Sequence, residues 1–163
     1  MDVHAISGSR KPKYEEKVRN YGDLETDTIE LIQAAITVKK FAYSPYSNFK
    51  VGAAFRSKCG RIFTGCNVES CSYTPTCCAE RTAISKAVSE GCTEFTSGAV
   101  VAYEETALTT PCGVCRQLIM EFANEDISLY ITKDQEGVPK ESSDAVLCTS
   151  IYNLLPHGFK KRD

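Results

Sequence analysis

Apolar positions recur along this chain with two different spacings, one typical of helices and the other of strands. Where they lie three or four residues apart, they predict amphipathic helices. The first predicted helix can be capped by Asp23 or Thr26 and continues to about residue 42. Two more helices are predicted over 78–90 and 112–122. A fourth, short helix can be capped by Thr149 or Ser150 and ends at Leu155. Gly91 follows the second of these and suits the left-handed backbone that often ends a helix.

Short segments rich in β-branched, aromatic or small apolar residues predict five strands. They cover about residues 49–57, 61–66, 97–103, 127–132 and 145–147. Cys59-Gly60 is typical of a turn, so we expect the first two strands to form a hairpin. The segment 97–103 is apolar almost throughout, as in a strand covered on both faces. Because helices and strands alternate along the chain, we expect an α/β sandwich.

The length of 163 residues, with 42% of them apolar, allows one sizeable core and one domain. We expect that domain over residues 23–159, preceded by a polar extension over 1–22 that we expect to be mobile and followed by a charged tail over 160–163. The net charge of -2 provides no basic surface for nucleic acid or an anionic membrane. We therefore expect a small or neutral partner, with no nucleic acid and no membrane.

The nine cysteines point to reduced thiols. Their number is odd, and the first ten residues lack the apolar run of a signal peptide. No apolar segment approaches the roughly 18 residues that span a bilayer. We expect a cytoplasmic protein in which some cysteines are buried and others bind a metal.

Two cysteine motifs lie where predicted helices begin. They are Cys78-Ala79-Glu80-Arg81 and Pro111-Cys112-Gly113-Val114-Cys115-Arg116. Cys112 and Cys115 are three residues apart and share one helix face, so they can bind one ion, with Cys78 as a third ligand. A catalytic zinc has three protein ligands and leaves the fourth position to water, and a helix N-terminus favours thiolates. The motifs therefore predict one zinc ion per chain.

Two charged neighbours have candidate roles beside these ligands. Glu80 can take a proton from water at the metal and pass it on as general acid and base. The alternative is an acidic residue that simply favours a helix N-terminus. Arg81 can donate to cysteine sulfur and offset the thiolate charge, or can be an exposed helix residue. A lone Cys-x-x-Cys also occurs in redox proteins, but Cys-x-Glu followed by Pro-Cys-x-x-Cys is the established signature of zinc deaminases.

At this point the chain resembles the homotetrameric cytidine deaminases that act on free nucleosides. The matching segments span about residues 24–159 and occur at 45–54, 60–69, 78–84, 111–117 and 154–156. The resemblance implies a three-layer α-β-α sandwich around a mixed five-stranded sheet. It also implies zinc-dependent hydrolysis of cytidine and deoxycytidine to uridine and deoxyuridine, with release of ammonia and with Glu80 moving the protons.

The resemblance also implies the residues that bind the nucleoside. Asn67 and Glu69 would hold the ribose 3′-hydroxyl, and Phe49 would stack on the pyrimidine. The other implied substrate-binding residues are Tyr46 and Tyr73 around the sugar, Ala79 beside the ligand Cys78, and Phe159, which would reach from one subunit of a homotetramer into its neighbour's pocket. Each has a plainer alternative, since Phe49 and Phe159 can be core or interface residues, Asn67 a turn residue and Glu69 a solvated one.

Two other functions remain open on the sequence. The same fold can deaminate another aminopyrimidine, such as a blasticidin-type compound or a cytosine in a polynucleotide. The zinc site can also be non-catalytic, in which case Cys66, Cys71 or Cys77 would supply a fourth ligand.

Overall fold

The computed structural model describes residues 10–160 as one sheet with helices on both faces. The strands are β1 (Lys17–Asn20), β2 (Val51–Ser57), β3 (Ile62–Cys66), β4 (Phe95–Ala102), β5 (Ser128–Lys133) and β6 (Ala145–Ser150). The helices are α1 (Thr26–Lys39), α2 (Ala79–Ser89), α3 (Gly113–Glu121) and α4 (Ile151–Leu154), and Tyr21–Asp23 forms a short 3-10 turn. Each predicted helix is therefore present. The Ser150 side chain caps α4 by accepting a hydrogen bond from the Asn153 backbone N–H.

The sheet is mixed and has the strand order β1-β6-β5-β4-β2-β3. Only β4 and β5 run parallel, with Val100 opposite Ile131, and every other neighbouring pair is antiparallel. The hairpin of β2 and β3 pairs Phe55 with Phe63. The predicted mixed sheet is confirmed, but among the described residues it has six strands rather than five.

The additional strand lies in the segment that we expected to be a mobile extension. β1 pairs with β6 from Lys17 opposite Cys148 to Asn20 opposite Ala145, and the Tyr21 N–H continues this pairing by donating to the Asp144 carbonyl at 2.8 Å. Charged side chains are common on edge strands, where they block pairing with other chains, so the segment lacks the apolar alternation that predicts a strand. Residues 1–9 of the expected extension and 161–163 of the expected tail lie outside the described residues.

Alternate side chains of the central strands serve two separate cores. Ala54 of β2 faces α1, while its neighbours Ala53 and Phe55 face the other side. The α1 side contains Leu31, Ile32, Ala35, Ala99, Val101 and Val146, and the opposite side contains Ala83, Ile84, Val100, Ile119, Leu129, Ile131 and Ile151. One helix thus covers one face, and α2, α3 and α4 cover the other, which gives the predicted three layers.

A glycine sets the distance between the sheet and α2. A Cβ placed on Gly65 of β3 would lie 2.4 Å from the Ala83 nitrogen and 2.5 Å from the Ala79 carbonyl oxygen. Only a residue without a side chain allows this approach of strand to helix backbone. The first turn of α2, which carries the Cys78–Arg81 motif, is therefore positioned by direct contact with the sheet.

We expect Gly65→Ala to lower the free energy of unfolding by about 1–3 kcal/mol, because overpacking forces α2 away from β3. Denaturant unfolding at a fixed zinc concentration measures this change. Gly113→Ala is the matched control, since an added Cβ there has no neighbouring atom within 4 Å. Equal stability of the two variants would contradict the proposed close contact.

Candidate active site

Three thiols converge where α2 and α3 begin. Cys78 is the residue before the first turn of α2, Cys112 holds the same position before α3, and Cys115 lies in the first turn of α3. Their sulfur atoms lie within 4.8 Å of one another. Within residues 10–160 this is the one group of three or more His, Cys, Asp or Glu side chains placed to share a metal ion. The structure thus brings together the three predicted ligands.

The donor set fits a three-ligand zinc site. Zinc binds thiolate sulfur tetrahedrally at about 2.3 Å, which places the sulfur atoms roughly 3.8 Å apart. The three sulfur atoms need only a small inward movement to reach that separation. Across the described part of the chain, Cys66, Cys71 and Cys77 do not belong to the group, so it offers no fourth protein ligand. This arrangement leaves one coordination position open, and the alternative of a closed, non-catalytic zinc site lacks its required ligand.

The three thiols strongly affect one another's ionisation. Hydrogen bonds from the thiols of Cys115 and, more weakly, Cys112 hold the pKa of Cys78 down to about 5, although burial acts in the opposite direction. The pKa of Cys115 is raised, because its thiol donates to Cys78 and is itself buried. One thiolate therefore attracts the protons of its neighbours. A bound cation would replace those protons, since metal binding to thiols releases them.

Arg81 lies against this cluster rather than in solvent. Its guanidinium donates to the Thr76 carbonyl, and its positive charge helps to lower the pKa of Cys78. The side chain is half-buried, and its Nε has no hydrogen-bond partner within residues 10–160. This position suits the predicted role of offsetting thiolate charge, a role that stays a prediction.

Glu80 is buried beside the thiols. Glu80 is the second residue of α2 and is only 4% exposed. Burial raises the pKa of its carboxyl group, and the charge of Cys78 raises it further, while a hydrogen bond with Cys115 and the charge of Arg81 oppose the shift. A residue that served only the helix dipole would normally lie in solvent. A buried carboxyl with a raised pKa can instead hold a proton and release it to a reacting group.

Asn67 braces the start of β2. Its Oδ1 accepts from the Val51 N–H, and its Nδ2 donates to the Phe49 carbonyl, both at 2.8 Å. The side chain is thus more than the turn residue that the sequence left as an alternative. Its contacts fix the backbone on which the Phe49 ring is carried, and that ring is half-buried.

Glu69 holds the loop before β2. Its carboxylate accepts from the backbone N–H groups of Tyr46 at 2.9 Å and Ser47 at 3.2 Å, and from the Ser47 hydroxyl. These hydrogen bonds, the one from the Ser47 hydroxyl above all, lower the pKa of Glu69. The carboxylate therefore stays charged and fixed in place. Ser47 was not among the expected site residues, since in the sequence only its position after Pro45-Tyr46 marks it as a turn residue.

The remaining aromatic candidates are largely exposed on the single chain. Tyr46 is 53% exposed, Tyr73 is 78% exposed and Phe159 is 75% exposed, whereas Ala79 is fully buried at the start of α2. Phe159 is held through its backbone, because its carbonyl accepts from Gln117 Nε2 at 2.7 Å. The single chain does not enclose these three rings.

Cavity size does not mark the site on a single chain. A depression of about 520 Å³ is bordered by Tyr103, Lys133 and Asp144 and contains none of the predicted site residues. Phe49 borders a smaller one, of about 280 Å³. The chemistry of the thiol cluster locates the site instead.

Arg116 is a supporting residue to which the sequence analysis gave no role. Its guanidinium donates to the Pro111 carbonyl at 2.7 Å, the Thr110 hydroxyl at 2.9 Å and the Leu154 carbonyl at 3.1 Å. It thereby holds the loop that leads into Cys112 and ties it to the end of α4. The signal available in the sequence was only an arginine directly after the Cys-x-x-Cys motif.

Comparison with known proteins agrees with this geometry. The family model of the cytidine and deoxycytidylate deaminase zinc-binding region matches residues 25–131. The chain belongs to this deaminase family. A cytidine deaminase of Sporosarcina psychrophila is 42% identical over 137 residues, which is 84% of this chain and 94% of that protein.

Two further relatives are similar to most of this chain. The 1.6 Å crystal structure of cytidine deaminase from Burkholderia pseudomallei matches with a TM-score of 0.70 and 41% identity, covering 80% of this chain and 98% of that one. A blasticidin-S deaminase of Bacillus cereus is 31% identical over 146 residues, 85% of this chain and 96% of that protein. The predicted family and sandwich fold are confirmed, and zinc is the metal of this deaminase.

No helix among residues 10–160 combines the length and the apolar character that a membrane span needs.

We expect Cys78→Ser to weaken zinc binding at least 10- to 100-fold, because even the loss of a residue that only orients a ligand typically costs that much. Metal analysis after dialysis against a weak chelator measures the retained zinc. Cys77→Ser is the matched control, since the Cys77 backbone pairs with Val68 in both directions at 2.9 Å and its sulfur lies 3.5 Å from the Thr82 hydroxyl. Zinc loss from the Cys77 variant, or full retention by the Cys78 variant, would overturn the ligand assignment.

Proposed function

We propose that this deaminase converts cytidine and deoxycytidine, with water, to uridine and deoxyuridine and ammonia. The observation that carries the proposal is the buried Glu80 carboxyl beside three converging thiols, in a chain that is 42% identical to a cytidine deaminase. Hydrolytic deamination needs an activated water and a group that moves protons between that water and the ring. The site contains residues suited to both tasks.

Cys78, Cys112 and Cys115 would hold the zinc, which when bound supplies Lewis-acid activation of the attacking water. Glu80 would accept one proton from that water and deliver it to N3 of the pyrimidine. It would then take the remaining proton from the hydroxyl now bonded to C4 and deliver it to the departing amine, so that C4 becomes a carbonyl and ammonia leaves. Burial of Glu80 keeps this transfer away from bulk water and raises the pKa of its carboxyl group, which favours its holding a proton between the two transfers. Arg81 and the two helix N-termini offset the excess negative charge of three thiolates.

The ribose subsite rests on two residues that also hold the loop. Glu69 is ionised and accepts three hydrogen bonds from Tyr46 and Ser47, and a carboxylate has lone pairs for one more donor, the 3′-hydroxyl of the sugar. Asn67 retains one N–H and one lone pair beyond its contacts with Val51 and Phe49. In our proposal these two side chains select a free nucleoside, and the Phe49 ring stacks on the base.

A second candidate substrate is a blasticidin-type aminopyrimidine. The 31% identity to a blasticidin-S deaminase over 146 residues favours it. The net charge of -2 disfavours a polynucleotide, whose phosphates need basic side chains. Turnover of blasticidin S that exceeds turnover of cytidine and deoxycytidine would favour this alternative.

We further propose that four chains assemble and that Phe159 completes the pocket of a neighbouring chain. Its ring is 75% exposed, and Tyr46 and Tyr73 are also exposed. Large apolar side chains left open on a single chain are typical of surfaces that bind a partner. We place the assembled enzyme in the cytoplasm, because none of its nine cysteines forms a disulfide within residues 10–160.

We expect Glu80→Gln to lower kcat by about 10²–10⁴-fold, the usual contribution of a general acid and base, while the variant keeps its zinc. The loss of cytidine absorbance measures turnover, and metal analysis measures zinc. Glu90→Gln is the control, since Glu90 follows the other end of α2 and pairs with Arg61. Unchanged turnover in the Glu80 variant would refute the mechanism.

Shared sites predict that two impaired variants restore activity when their chains assemble together. We expect Phe159→Ala and Glu80→Gln each to be impaired alone. In chains co-expressed and assembled together, some sites would combine an intact Glu80 with an intact Phe159 from a neighbour, and cytidine turnover would exceed that of both parents.

The control is the same pair of variants purified separately and assayed immediately after mixing. Light scattering of the unaltered chain tests for four copies. An absence of recovery in a mixed assembly would show that each chain completes its own site.

A further inference from the structure

Two cysteines outside the zinc site are brought together by the sheet. Cys59 lies in the turn between β2 and β3, and Cys92 follows the end of α2. Ser57 lies opposite Phe95 in the β2–β4 ladder, and the Lys58 N–H donates to the Glu94 carbonyl at 2.9 Å beyond it. Because the two segments stay paired as far as Lys58 and Glu94, Cys59 and Cys92 border the same shallow depression.

The backbone at each cysteine is held in place. Gly60 and Gly91, which flank the pair, have left-handed φ angles of +88° and +82°, a conformation that glycine adopts without strain. The Cys92 N–H donates to the Ala87 carbonyl at 2.9 Å, and the Gly60 N–H donates to the Ser57 carbonyl at the same distance. The two thiols are therefore presented by tight turns rather than by loose loops.

The surroundings of Cys59 favour its reactive form. The Ser57 hydroxyl lies 3.1 Å from the Cys59 sulfur. Hydrogen bonds from that hydroxyl, then from the Arg61 backbone and from the Cys92 thiol, lower the pKa of Cys59, and the positive charge of Arg61 acts in the same direction. Cys59 is exposed and Cys92 is half-buried. An exposed thiol whose ionised form is favoured, with a second thiol on the border of the same depression, is the arrangement of an attacking and a resolving cysteine.

This pair is separate from the zinc ligands. Cys78 precedes α2, whereas Cys92 follows it, and the 11 residues of α2 span about 16 Å at 1.5 Å per residue. Chemistry at Cys59 and Cys92 therefore does not require any zinc ligand to leave the metal.

We propose that Cys59 and Cys92 form a thiol–disulfide exchange site that reacts with small disulfides. The Cys59 thiolate attacks one sulfur of the small disulfide, which forms a mixed disulfide and releases one small thiol. Cys92 then loses its proton to solvent and attacks the Cys59 sulfur, which releases the second small thiol. Two protein thiols are oxidised to one disulfide, and one small disulfide is reduced to two thiols, so two electrons are transferred.

The test uses the full-length zinc-loaded enzyme and oxidised glutathione. After exposure to excess oxidised glutathione, the protein is alkylated, digested without reductant and mapped by mass spectrometry, with zinc content measured in parallel. We expect a Cys59–Cys92 disulfide in the unaltered chain with zinc retained. Cys92→Ser is expected to stop at one glutathionyl group on Cys59, and Cys59→Ser is expected to leave Cys92 as a free thiol.

Cys71→Ser is the matched control, because Cys71 is also an exposed cysteine in a loop. It is expected to form the Cys59–Cys92 disulfide as the unaltered chain does. The proposal is wrong if the unaltered chain retains glutathione on Cys59, if it leaves both thiols free, or if Cys92 becomes glutathionylated without Cys59.

Discussion

The structure depends on the convergence of two helix N-termini at one group of sulfur atoms. Each of α2 and α3 begins at a cysteine, and the exposed N–H groups of a helix start favour negative charge. Three thiolates in one place would otherwise repel one another. The position of α2 is set by its contact with Gly65 of β3, and the approach to α3 is held by the three hydrogen bonds of Arg116. The metal site is therefore a product of packing between layers rather than of either motif alone.

The loop before β2 is organised by side chains that also serve the proposed substrate site. Asn67 and Glu69 follow β3 in sequence, yet they bind backbone groups between Tyr46 and Val51. A polar group that anchors a loop loses freedom before any ligand arrives. If these side chains bind ribose as proposed, most of the entropy cost of ordering them is incurred during folding, which is the meaning of preorganisation in binding.

Features encoded over short stretches of sequence could be predicted, and features that join distant segments could not. The helices follow from local apolar spacing, aided in α4 by the Ser150 cap, and the three ligands from motifs a few residues long. The caps expected for the first helix are not used, because α1 begins after Glu25 without a side-chain hydrogen bond. The edge strand β1 is polar and acquires its conformation from pairing with β6. The contact of Ser47 with Glu69 and that of Arg116 with Leu154 link residues 22 and 38 positions apart. No periodicity in the sequence records such pairs.

Strand β1 also has a consequence for how copies of this chain can meet. It covers β6 and makes Lys17–Asn20 the outer border of the sheet. The charges of Lys17 and Arg19 on this border oppose the addition of a further strand. At the opposite border, β3 is packed beneath α2. At the β1 border, an association between copies of the chain would therefore use side chains on the faces and loops rather than a continued backbone ladder.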